Sequence, residues 1–84
     1  MKDCMITFRS VTPAQRGEAL LRRAGMDCTL RRTSRRMEQQ GCGYSLLLRY
    51  EDVSAAVKLL GENRVSFRKI YLQRENGSLE ELAL

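Results

Sequence analysis

One stretch of this chain has the residue types for sulfur chemistry. Cys42 sits between Gly41 and Gly43, with Arg36 and Arg35 six and seven residues upstream. A thiol attacks as its thiolate, and an unperturbed cysteine ionises near ~8.5. Neighbouring guanidinium and backbone N–H groups favour the charged form. A glycine on either side permits a tight turn and leaves the approach to sulfur open. Such a thiol suits the capture of a sulfane sulfur or selenium atom, held as a persulfide or perselenide for delivery to a second enzyme. Thr33 and Ser34 contribute hydroxyls that can bond an anion or shape a turn. The expected site is therefore Cys42 as the reacting residue. Gly41, Gly43, Arg35, Arg36, Thr33 and Ser34 would stabilise its thiolate or meet a partner.

Other readings of the same residues stand beside this one. Free cysteine is among the most buried residue types, so Cys42 could simply pack at the start of a strand. Metal binding and redox sensing are further options. Of the other two cysteines, Cys28 falls on an apolar face and reads as core, and Cys4, close to the N-terminus, reads as incidental. Tyr44, beside the Cys-Gly pair, reads first as a packing residue, although its hydroxyl is near enough in sequence to meet a loaded sulfur.

Several chemistries are excluded by composition. The chain has no histidine and no Cys-x-x-Cys pair, which removes the usual zinc spacings and any Cys-His dyad. An odd count of three widely spaced cysteines argues against a disulfide framework. No phosphate-cradling glycine loop, paired-carboxylate site or cofactor fingerprint is present, so neither a metal nor a cofactor is expected. The chain reads as a protein-bound carrier rather than a stand-alone enzyme. No apolar run approaches a membrane span, and no signal peptide is evident, so the expected compartment is the cytoplasm. Fifteen basic against ten acidic residues give a net charge of +5. Arg31, Arg32, Arg35 and Arg36 fall within six residues, with Arg22 and Arg23 upstream. Such a cluster attracts anions, or merely solvates a loop.

The elements that must position these residues follow from periodicity. Residues 4–9, with Met5, Ile6 and Phe8, predict a strand. Thr12, Pro13 and Gln15 have the order of a capping box with proline at the first helical position. Ala14, Gly17, Leu20, Leu21 and Ala24 then recur at helical spacing, and Gly25 is placed to end the helix. Gly17 costs about 1 kcal/mol of helix propensity, which makes sense where a helix lies close on a sheet. Met26, Cys28 and Leu30 alternate with polar residues as a second strand, and residues 33–41 predict a polar loop. Tyr44 to Tyr50 predicts a third strand with Tyr44, Leu46, Leu48 and Tyr50 on one face. A second helix opens at Glu51 and Asp52, carries Val53, Ala56, Val57 and Leu60, and stops near Asn63. Phe67 to Gln73 predicts a fourth strand.

The order β-α-β-β-α-β, in 84 residues, leaves room for one core. The expected fold is α+β and ferredoxin-like: a four-stranded antiparallel sheet with both helices on one face, each crossover right-handed. Residues 1–73 would form that single domain. Residues 74–84 would be a tail, either frayed or a short docked helix. The uncovered sheet face, with residues such as Leu47, could pair with a second copy to form a homodimer.

The matching stretches Ile6-Thr7-Phe8, Glu18-Ala19-Leu20-Leu21, Ala24-Gly25, Thr33-Ser34-Arg35 and Cys42-Gly43 resemble a family of small bacterial selenium/sulfur carrier-like proteins. The resemblance runs from about Met5 to Leu72, and Cys42-Gly43 is the part that points at chemistry. Ser34 stands where that family's loop carries proline, and Gln39-Gln40-Gly41 precedes the cysteine. The resemblance implies a carrier role, with a cysteine desulfurase-type protein as donor and a second protein as acceptor. A non-catalytic interaction or regulatory domain is the alternative, one that self-associates or holds an anionic partner through its arginine loop. A nucleic-acid binder is disfavoured: the chain has five aromatics, no RNP-like run, and no outward aromatic on strand three to match Phe67 and Tyr71.

Overall fold

A computed structural model describes residues 3–33 and 43–82. The strand β1 (Cys4–Phe8) runs through the middle of an antiparallel sheet. The helix α1 (Val11–Arg23) follows, then β2 (Thr29–Thr33) and β3 (Gly43–Leu48). A single 3-10 turn at Tyr50–Asp52 leads into α2 (Val53–Glu62). The chain closes with β4 (Ile70–Gln73) and β5 (Leu79–Leu82). Spatial order is β2-β3-β1-β4-β5, with all four neighbouring pairs antiparallel.

Among the described residues the fold is α+β with two helices and an antiparallel sheet, but the sheet has five strands and not the four of the expected ferredoxin-like arrangement. The tail supplies the fifth. Leu79–Leu82 is a strand rather than a short helix, paired to β4 with Leu72 opposite Glu80 and Ile70 opposite Leu82. The turn before it explains why. Asn76 Oδ1 accepts bonds from Ser78 N (3.0 Å) and Ser78 Oγ (2.7 Å). Gly77 takes a φ of 86°, open to glycine, and donates to Arg74 O. Glu80 then pairs with Arg74, and Glu81 with Lys69 at 3.2 Å.

Strand alternation divides the sheet into two faces. Cys4, Ile6, Phe8, Leu46 and Leu48 share the helix side and are fully buried. Ala14, Leu21, Val53, Ala56 and Leu60 meet them from the two helices. At Gly17 α1 lies directly against the sheet and α2. A Cβ added there would lie 3.2 Å from Leu46, 3.3 Å from Leu60 and 3.3 Å from Phe8, so the bare backbone is what lets helix, sheet and second helix meet. The opposite face carries Met5, Leu47 and Tyr71 in one half-buried row, as the expectation for Leu47 had it.

Both helices end in the same motif. Gly25 (φ 88°) donates to Arg22 O and Met26 to Leu21 O after α1; Arg64 (φ 57°) donates to Gly61 O and Val65 to Leu60 O after α2. The start of α1 differs from the expected capping box. The cap position is Ser10, in extended conformation and without a side-chain cap bond, and Pro13 is the third helical residue. Proline is tolerated there because the N–H groups of the first turn have no helical acceptor. The fourth strand is also shorter than Phe67–Gln73. Arg68 N donates to Thr7 O (2.7 Å), and Lys69 N donates to the Thr7 hydroxyl (3.1 Å). Two residues thus oppose one, and the ladder is regular only from Ile70. Tyr50 leaves the sheet altogether: β3 stops at Leu48, and Tyr50 is exposed on the 3-10 turn.

Candidate functional site

β2 and β3 frame the expected site. Thr33 closes β2 and Gly43 opens β3, and their Cα atoms are paired across the ladder. Gly43 is buried. Ser34, Arg35, Arg36, Gly41 and Cys42 lie outside the described residues; Cys42 is joined by one peptide bond to Gly43. The sheet therefore brings together the two ends of the segment that carries the thiol.

Three segments remote in sequence converge on that same end of the sheet. Arg32 faces Tyr44, and Tyr44 faces Phe8, so the strand ends lie side by side. Arg31 and Arg32 are exposed on β2. Arg9 follows Phe8 out of β1, and the backbone bonds of Thr7 hold Arg68 and Lys69 beside it. Arg9, Arg68 and Lys69 rim an open cleft of about 570 Å³ whose floor includes Pro13 and Phe67. Sequence reading missed these three cations, because nothing local ties residue 9 to residues 68 and 69. Arg22, counted with the basic excess, is engaged elsewhere. Its guanidinium donates to Cys28 O (3.2 and 3.4 Å) and pairs with Glu18 at 3.3 Å.

The other two thiols are sealed. Cys28 packs in the core as expected, 1% exposed, with its sulfur 3.9 Å from Glu18 O. Burial pushes its pKa up, partly opposed by Arg22. Cys4 is not incidental: it faces the helices from β1 with no exposure at all. Burial, helped by the Asp3 carboxylate, pushes its thiol from 9.0 up to about 11. Neither thiol is available as a nucleophile near neutral pH. Tyr44 is half-buried against the core, consistent with packing. Among the described residues, no three His, Cys, Asp or Glu side chains form a metal-binding group, and no helix is long and apolar enough to cross a membrane.

Neither the curated proteins nor the solved structures contain a match to this chain. A family model does match, over residues 3–72, described as putative Se/S carrier protein-like. That span takes in both helices, β1 to β3, most of β4 and the strand ends that frame Cys42, and the chain belongs to this family.

Proposed function

We propose that the protein carries sulfane sulfur or selenium on Cys42, between a cysteine desulfurase-type donor and an acceptor enzyme. The observation that supports this reading is that Cys4 and Cys28, the two cysteines among the described residues, are walled into the core of a chain whose family is named for chalcogen carriage. In the loading step the Cys42 thiolate attacks the terminal sulfur of a persulfide on the donor. The new S–S bond forms on Cys42, the donor's S–S bond breaks, and the electron pair leaves with the donor's thiolate. No external oxidant or reductant is consumed. Delivery is the same displacement with Cys42 as the leaving thiolate. Positive charge supports both steps, since each passes through an anionic sulfur. Arg35 and Arg36 are assigned this role, with Ser34 and Gly41 in the same segment and Thr33 and Gly43 bracketing it from β2 and β3.

The test is mass spectrometry of the protein after incubation with a cysteine desulfurase and free cysteine. The expected result is a gain of one sulfur atom on the peptide containing Cys42, reversed by dithiothreitol. The same gain in Cys42→Ser would overturn the assignment. A second reading is a non-catalytic domain that pairs with another copy through Met5, Leu47 and Tyr71 on the uncovered face. Light scattering showing a dimer, together with unaltered biological activity of Cys42→Ser, would favour it.

A further inference from the structure

The cleft beside the Cys42 strand end is not part of the sulfur chemistry, and its composition says what fits it. Its cations, Arg9, Arg68 and Lys69, are exposed, whereas Pro13 and Phe67 on its floor are half-buried. Among the described residues that line it none is acidic; Glu81, which pairs with Lys69, lies on the neighbouring strand, and Arg68 already makes an interaction of its own. A built site for a small anion has buried, converging donors, and the described cations of this cleft are exposed. A cationic rim around an apolar, partly aromatic floor is instead the anatomy of a protein interface. Base-stacking platforms need aromatics on an open sheet face, and Phe67 precedes β4 rather than lying on the sheet.

We propose that this cleft docks an acidic surface segment of the partner protein that exchanges sulfur with Cys42. The proposal rests on the carrier reading for the identity of the partner, and on the cleft alone for its chemistry. Arg9 extends from β1, and Cys42 adjoins the first residue of β3, the strand next to it. Neighbouring strands lie roughly 5 Å apart and β1 stands between β3 and β4, so a partner carboxylate seated among Arg9, Arg68 and Lys69 would lie one to two strand spacings from that strand end, close enough for a neighbouring residue of the same partner to reach it. A partner carboxylate would also compete with Glu81 for Lys69.

The experiment maps binding of a short glutamate-rich peptide by amide chemical shifts in the isotopically labelled full chain. The expected shifts cluster at Arg9, Ser10 and Ser66 to Lys69, saturate, and weaken with added salt. Each exposed ion pair is worth about a factor of two to five, so the Arg9→Glu, Arg68→Glu double variant should bind about tenfold or more weakly. Cys42→Ser should bind as the wild type does. Shifts scattered over the whole basic surface, no saturation, or tighter binding of a single-stranded RNA at the same residues would each overturn the proposal. The two failures are separable: sulfur loading on Cys42 without peptide binding sinks the cleft alone, and peptide binding without loading sinks the carrier reading alone.

Discussion

Raising the pH should destabilise this protein through a residue that takes no part in its proposed chemistry. Cys4 is fully buried on β1, and its thiol is pushed from 9.0 up to about 11. The unfolded chain releases this proton near 9.0 while the folded chain holds it. Above that pH the unfolded state binds fewer protons, and stability falls as pH rises. The contribution is fully present below about pH 9 and is lost progressively through about pH 11. At about pH 10 the unfolded thiol is ionised by a factor of ~11 and the folded thiol by ~1.1. Their ratio of about ten corresponds to a loss on the order of 1 kcal/mol, growing further at higher pH. Burial of Cys28 acts with the same sign. Urea unfolding of wild type and Cys4→Ala at about pH 7.5 and about pH 10 isolates the effect, because tyrosine and lysine titrations are common to both. Cys4→Ala should start less stable, having lost buried volume, and should lose on the order of 1 kcal/mol less on the pH step. Parallel losses in the two proteins would refute a neutral, sealed Cys4, and with it the argument that leaves the chemistry to Cys42.

Two other substitutions test the frame. Gly17→Leu should cost about 3 kcal/mol or more in urea unfolding, because the added side chain would enter a space already bounded at 3.2–3.3 Å by Leu46, Leu60 and Phe8; Gly17→Ala should fail to deliver the ~1 kcal/mol that helix propensity alone would give. Arg64→Gly should raise stability by about 0.5–1 kcal/mol, since Arg64 holds a φ of 57° in the helix-ending motif where glycine is unstrained; a loss of stability would mean that the arginine side chain contributes more than its backbone costs.

Much of the frame was legible because its signals are periodic. The helix stripes, the Gly17 approach and the Gly25 stop follow from spacing and residue type, and the structure has them except for Ala24, which caps α1 and is exposed. The tail was misread although its signal was present: Asn76-Gly77 between two runs with apolar positions is a hairpin pattern. The charge around it is used in pairing across that hairpin, Arg74 with Glu80 and Lys69 with Glu81. Cys4 was misjudged by its closeness to the terminus, when its alternation with Ile6 and Phe8 already put it on the inner face. The early irregularity of the fourth strand was not legible, because it depends on the hydroxyl of Thr7, more than sixty residues away. The proposed reacting residue belongs to a local feature of the sequence, Gly41-Cys42-Gly43, and so could be proposed from it. The basic cleft next to its strand is a product of tertiary pairing, and no window of sequence contains it.

The most direct test of the account is the rate of native alkylation at each cysteine across pH, read by mass spectrometry with iodoacetamide. The expected result is a single fast-reacting thiol at Cys42 with an apparent pKa below the ordinary cysteine value, and Cys4 and Cys28 labelled only on unfolding. An inert Cys42, or native labelling of Cys4 or Cys28 at a comparable rate, would contradict it.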